Sequence, residues 1–233
     1  MRFQHSDLIW RDYPELVPCA LAAGGITPDA TVETERYYAV ARSRLDGRTE
    51  SELPEIQSWR RTFGRMGMKP TQYRCAAESL LRRFRKEGSL PSLHPLVDVC
   101  NAISLAFATP VAVFDVAAID GDLEVRYAAG DEDYLTFSGE REHPDAGEVV
   151  FADQAGLAHA RRWTNRQSGR SAVSASTASV LIVAEALHTS AATDIPALMA
   201  AICDEITATW SVKPASAVLT PACPRFEFDP AAP

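Results

Sequence analysis

The chain has 233 residues, 46% apolar and 23% charged, with 31 acidic against 23 basic side chains and a formal charge of -8. This is an ordinary globular composition, large enough for one compact core, and its acidity excludes a generally basic nucleic-acid coat protein while allowing a local basic face. No apolar run approaches the length of a membrane span, Met1–Asp7 lacks the apolar h-region of a secretory leader, and Cys19, Cys75, Cys100, Cys203 and Cys223 contain no Cys-x-x-Cys pair. A cytoplasmic protein without disulfides is therefore expected.

In chain order, residues 6–10 read as a short first strand, followed by a segment broken at Pro14, Pro18 and Gly24-Gly25. Residues 31–45 predict a helix stopped by Asp46-Gly47. Residues 51–66 carry Ile56, Trp59, Phe63 and Met66 at three-four spacing, the pattern of an amphipathic helix. A third helix is predicted over 74–86, with Gly88 as its stop. A fourth, strongly apolar one is predicted over 96–108, where Asp98, Asn101 and Ser104 recur at three-residue steps and share a face.

After Pro110 the pattern changes to short runs separated by turn residues. Strands are predicted over 111–116, 123–126, 133–137, 148–152 and 158–163. Residues 180–184 fit a strand or a helix start, because periodicity does not separate the two in a short apolar run. A helix over 195–210 and a strand over 215–219 follow. Helices first, then a run of strands, then a helix is an α+β order. One domain over residues 1–220 is expected, with N-terminal helices, a largely antiparallel sheet and flanking helices, then a proline-containing, loosely ordered tail over 221–233.

Charge is unevenly spread. Residues 60–86 hold nine basic side chains against the single acid Glu78, and residues 154–184 hold Arg161, Arg162, Arg166 and Arg170 with no acid. Two basic islands in an acidic chain suit an anionic ligand, and solvated faces explain them about as well.

Dinucleotide and nucleophile-elbow glycine patterns are absent. Gly64 and Gly67 read as a turn, and Cys100 reads as a small core residue. His5, His94, His143, His159 and His188 lack metal-ligand spacing, so neither a metal nor a cofactor is expected. His159 is readable as a base or, more often for a lone histidine, as a structural residue. Asp98 and Asp115 are equally readable as caps or ion-pair partners, Arg82 as a solvated face and Trp163 as core.

The segment from Leu90 to Asp115 is more specific. Val97-Asp98-Val99-Cys100-Asn101, then Pro110, then Val113-Phe114-Asp115 resembles the B3/B4 domain, the tRNA-editing module of the phenylalanyl-tRNA synthetase beta chain. The resemblance continues through Ile119-Asp120-Gly121, Gly147-Glu148-Val149-Val150, and Asp153 with Gly156, and covers about residues 60–187. Arg161-Arg162-Trp163-Thr164-Asn165-Arg166-Gln167-Ser168, with Thr177 following, is similar to the signature of freestanding versions, as is the stretch 74–83.

The resemblance implies a freestanding trans-editing deacylase that hydrolyses the ester of a mischarged tRNA. Its partner would be the acceptor end of an aminoacyl-tRNA, with no membrane, metal or cofactor. It implies a pocket shaped by Asp98, Asn101, Ser104, Asp115, Asn165 and Gln167, and tRNA contacts from Arg74, Arg82, Arg161 and Arg166, and it leaves the catalytic group unknown, with Asn101, His159 and Gln167 as candidates. Three positions depart from the synthetase pattern. Cys100 stands for its Thr, Ala112 for its His, and Val183 for its Glu, with Glu185 two residues further on. A non-catalytic tRNA- or RNA-binding module, or a binder or hydrolase of a free amino-acid derivative, remain the alternative readings.

Overall fold

The computed structural model describes residues 1–230; Pro233, in the expected tail, lies outside them. The chain begins with β1 (Arg2–His5), α1 (Asp7–Asp12), β2 (Val17–Ala23), α2 (Glu35–Leu45), α3 (Pro54–Arg65), α4 (Ala76–Glu87) and α5 (Pro95–Phe107). The strand-rich middle runs β3 (Val111–Asp115), β4 (Leu123–Tyr127), β5 (Asp133–Leu135), β6 (Arg141–Glu142), β7 (Val149–Ala152), β8 (Leu157–Arg161), β9 (Arg166–Gln167) and β10 (Val180–Ala186). It closes with α6 (Ala191–Trp210), β11 (Ala215–Val218) and β12 (Arg225–Glu227).

The α+β expectation holds, in a mostly antiparallel arrangement divided between two sheets. Among the described residues the larger sheet has the order β12-β1-β4-β7-β8-β5-β6, with β9 on β8. Only β1–β4 and β5–β8 pair in parallel there. The smaller sheet has the order β11-β2-β10-β3 and is wholly antiparallel.

The central strands β2 and β10 of the smaller sheet are buried on both faces, and strand alternation sorts their residues. Cys19 and Leu21 of β2 and Val180, Ile182 and Ala184 of β10 pack with α5 and α6, against residues such as Val99, Ile103, Ile195 and Ile202. Ala20 and Ala22, Leu181 and Val183, and Phe114 of β3 face the other way. There they meet Phe3 and Phe151 of the larger sheet and the apolar stripes of α3 (Ile56, Trp59, Phe63) and α4 (Ala77, Leu81, Phe84). A strand covered on both faces has no polar side, so it reads as a continuous apolar run. Residues 180–184, ambiguous in sequence, are therefore strand.

The N-terminal reading is corrected. The first strand is Arg2–His5, and Asp7–Asp12, overlapping the expected strand, is helical. Strand β2 was hidden by Pro18 and a run of alanines. Pro18 sits near the strand start, where its missing N–H is tolerated and its carbonyl accepts from the Leu219 N–H.

Within the segment 221–233, Arg225–Glu227 pairs antiparallel with β1. Phe226 lies opposite Phe3 in that register and is buried, with its ring stacked on Phe228 at 5.4 Å. Phe226→Leu is expected to lower stability by about 1 kcal/mol through lost apolar contact. Urea unfolding measures it; an unchanged midpoint would mean that this strand adds nothing to the core.

Candidate functional site

The two sheets meet along a seam, and a cavity of about 60 Å³ lies in it. Phe151 of β7 and Ala160 of β8 line it from the larger sheet, and Ala112 of β3 with Val183 and Glu185 of β10 line it from the smaller one. Ala112 and Val183 are direct cross-strand partners. The segment Trp163–Gln167, the N-terminus of α4 at Ala76, and Pro110 with Val111 complete the wall. That volume holds several waters or a small side chain.

Glu185 shares one strand face with Val183 because they are two residues apart. It is buried, and both of its hydrogen bonds fall on one oxygen. The Trp163 indole N–H donates to Oε1 at 2.9 Å, and His5 Nε2 lies 2.7 Å from the same atom. The Oε2 atom is left to accept a proton. The other ring nitrogen of His5, Nδ1, is buried without a hydrogen-bond partner. His5 comes from β1, so this contact ties one sheet to the other.

The wall segment is held in an unusual conformation. Arg162 and Trp163 have φ of 49° and 57°, a left-handed pair of non-glycine residues that costs of order 1–3 kcal/mol each and persists only when neighbours over-determine it. The neighbours do so here. The Arg162 N–H donates to Glu148 Oε1 at 2.8 Å and the Trp163 N–H to the Val149 carbonyl at 2.7 Å. The Trp163 ring sits edge-on against Trp59 at 5.2 Å and Tyr13 at 4.8 Å. Ala76 N–H donates to the Thr164 carbonyl, and the Asn165 amide donates to the Arg74 carbonyl at 2.7 Å. Gln167 donates from Nε2 to the Val113 carbonyl at 2.7 Å.

Of the residues that the sequence singled out, Asn165, Arg166 and Gln167 line this cavity. The others lie elsewhere. Asp98 accepts from Ser92 Oγ and the Leu93 N–H at the start of α5. Ser104, fully buried, donates to the Thr109 carbonyl at the end of α5. Asn101 lies between them on that helix, and none of the three reaches the cavity. The reason is topological: α5 packs on the face of the smaller sheet opposite the seam. Cys100 goes with it, and burial pushes its thiol up to about 12, which makes it a poor nucleophile. Asp115 caps the turn after β3 through the Ala117 N–H and accepts from Thr177 Oγ1 at 2.7 Å.

His159 is fully buried in β8. Its Nε2 lies 3.0 Å from Asp153 Oδ2, and its ring edge meets Phe114. Burial pushes the Asp153 carboxyl up, but hydrogen bonds from His159 and from the Asp120 and Leu157 N–H groups outweigh it, so the pKa falls below the usual aspartate range. This pair holds the larger sheet together and does not face the cavity.

The arginines also sort differently from their sequence pattern. Arg161 is buried. It donates from Nε and Nη2 to the two oxygens of Glu148 at 2.9 Å each and from Nη1 to Glu142 at 2.6 Å. Hydrogen bonds to Glu148 raise its pKa despite burial. With three of its N–H donors spent on carboxylates and the side chain only 5% exposed, it offers little to a phosphate. Arg74 donates to the Thr71 carbonyl and lies 3.5 Å from Glu78. Arg82 stays exposed on α4, 3.8 Å from Glu50. Arg166 is exposed at the cavity wall, 3.4 Å from Glu142. Arg162 stacks over Tyr73 at 4.9 Å.

Comparison with known proteins adds a family signal. A family model described as B3/4 domain matches residues 58–195. The phenylalanine–tRNA ligase beta subunit of Shewanella oneidensis is 26% identical over 122 residues, which is 52% of this chain and 15% of that protein. That of Legionella pneumophila strain Paris is 35% identical over 75 residues, 32% of this chain and 9% of that protein. The chain thus spans a small fraction of the curated relatives it matches. An N-terminal fragment of the phenylalanyl-tRNA synthetase beta subunit from Pyrococcus horikoshii superposes with a TM-score of 0.47 at 9% identity, covering 91% of this chain and 49% of that one. No helix among the described residues is long and apolar enough to cross a membrane.

Proposed function

Since this chain belongs to the B3/4 domain family, we infer that it is a freestanding aminoacyl-tRNA deacylase, hydrolysing the ester of a mischarged tRNA in the cavity between its two sheets. The observation that carries this reading is Glu185: a buried carboxylate with one oxygen doubly hydrogen-bonded and the other uncommitted, lining a cavity of about 60 Å³, room enough for a water beside it. A general base must reach the proton it abstracts directly or through one water.

The ester would enter past Asn165, Arg166 and Gln167. Glu185 takes a proton from a cavity water as its oxygen bonds to the ester carbonyl carbon. The tetrahedral oxyanion is met by the second N–H of the Gln167 amide, whose first is spent on Val113. Collapse breaks the bond to the ribose oxygen, and the proton from Glu185 leaves with the ribose hydroxyl. The products are the free amino acid and the free tRNA end. His5 and Trp163 fix the carboxylate during these steps, so that little reorganisation remains at the moment of reaction. Arg166, with Arg162 behind it and Arg74 at the base of α4, supplies positive charge beside the opening for phosphate oxygens.

A second reading, a binding module without turnover, is favoured by one observation. The positions that the resemblance assigns to the editing His and Glu are Ala112 and Val183, and both are apolar walls of the cavity. A deacylation panel with purified aminoacyl-tRNAs separates the readings. Release of at least one amino acid above buffer supports the deacylase. A folded protein that binds tRNA and releases none supports the binder.

Binding itself has a local test. Arg166→Glu is expected to weaken tRNA association and to reduce the slope of log K against log salt by about one. Filter binding across a salt series measures it, and an unchanged slope places the phosphate contacts elsewhere.

A further inference from the structure

Apart from the cavity, Glu55 and a pair of ligand-type side chains more than 130 residues further on, six apart from each other, converge where the start of α3 meets the junction of β10 and α6. Glu55, His188 and Asp194 bring one donor atom each to within 4.8 Å of one another. We propose that this group binds one divalent transition-metal ion of the zinc class. None of the three lines the cavity between the sheets, so the proposal is independent of the deacylase reading.

Two further observations support it. Glu55 leaves Oε2 buried with no hydrogen-bond partner, on a side chain only 9% exposed. An uncompensated carboxylate oxygen in that environment is costly, and a cation removes the cost. Its other oxygen is held by Arg44 Nη2 at 2.6 Å, while Arg44 Nη1 donates to the Ala106 carbonyl at 2.8 Å. That is how an outer partner orients a metal-ligating carboxylate. Glu78 also has an unpartnered Oε2, but it lies between Arg60 and Arg74, a setting suited to cations already present.

At His188 and Asp194, Nε2 lies 2.8 Å from Asp194 Oδ2, which also accepts from Ser190 Oγ at 2.7 Å. On binding, the metal takes its place between His188 Nε2 and Asp194, and the ring proton moves to Nδ1, leaving a neutral imidazole ligand. One imidazole and two carboxylates form a mixed nitrogen-oxygen set, which suits zinc better than magnesium or calcium. With His188 neutral, Glu55, Asp194 and Arg44 sum to one negative charge, so a divalent ion is not repelled.

Isothermal titration of the chelator-stripped full chain in a Cys223→Ser background, with ZnCl2 and separately with MgCl2, tests this. The expected result is one equivalent of zinc bound at micromolar or tighter affinity, and no magnesium heat. Glu55→Gln and Asp194→Asn should each weaken zinc at least tenfold. Arg44→Met should weaken it by about 10–100-fold, as outer partners of metal ligands do. Asp194 is partly exposed and Asn keeps its shape, so this variant stays informative if Glu55→Gln fails to fold. No stoichiometric zinc binding, or binding that Asp194→Asn leaves unchanged, overturns the proposal.

Discussion

Arg161→Met is expected to destabilise the chain by about 3–5 kcal/mol, the usual range when one partner of a buried ion pair is removed. For a chain of this size that lowers Tm by roughly 6–20 °C. Methionine fills most of the space left by the side chain, so the loss reports charge and hydrogen bonding. Glu148, buried beside it, would lose both guanidinium donors while keeping the Arg162 N–H. The backbone at Arg162 and Trp163, held left-handed partly by that carboxylate, would loosen as well.

The effect should depend on pH. Burial pushes the Glu148 carboxyl up, but the hydrogen bonds and charge of Arg161 outweigh it and hold the folded-state pKa below the ordinary 4.5. A group lowered on folding contributes stability above its unfolded pKa, and that contribution fades as pH falls through the folded one. The gap between wild type and Arg161→Met should therefore be full at neutral pH and shrink below about pH 4.5. Thermal melts across that range measure it. A variant that melts with the wild type but no longer binds tRNA would instead make Arg161 a phosphate contact.

Glu185→Gln is expected to lower the deacylation rate by about 10²–10⁴-fold, the usual contribution of a positioned general base. Glutamine keeps the volume and one carbonyl oxygen for the Trp163 N–H, so fold and tRNA affinity should remain close to wild type. The loss belongs in kcat and not in KM, because the group acts on water in the transition state. Single-turnover deacylation with an amino acid found active in the panel gives the rate. Unaltered turnover would remove Glu185 from the chemistry and direct attention to Gln167 or to the hydroxyls of the tRNA itself.

Much of the architecture was legible because it rests on local patterns. Ile56, Trp59 and Phe63 at helical spacing mark α3 and pack as that spacing requires. Gly88 ends α4 in the left-handed conformation that favours glycine. Part of the site was legible too: Asn165, Arg166 and Gln167 all reach the cavity wall. Glu185 was visible as a carboxylate two residues beyond the position where the family pattern expects one. Strand periodicity of two is the signal that puts it on the same face as Val183. His5 carried no such signal, since its role depends on β1 lying against the end of β10.

Two linear patterns take on a different meaning in space, for a common reason. The shared face of Asp98, Asn101 and Ser104 is real on the helix, but only the packing of α5 decides which side of the smaller sheet it meets. The acid-free stretch 154–184 is acid-free along the chain and not in space. Glu142 and Glu148 pair with Arg161, Arg162 and Arg166, and Asp133 pairs with Arg170. The first island is likewise answered from outside by Glu50 and Glu15.

The sequence by itself determined the main helices, most of the central strands, their α+β order and the family, because apolar periodicity, turn residues and motif spacing are properties of neighbouring residues. The tertiary structure alone decided which charges are spent and which groups share a cavity. Those depend on separations of a few ångströms between residues as far apart in the chain as His5 and Glu185, 2.7 Å from each other across the two sheets, and linear spacing does not encode such distances.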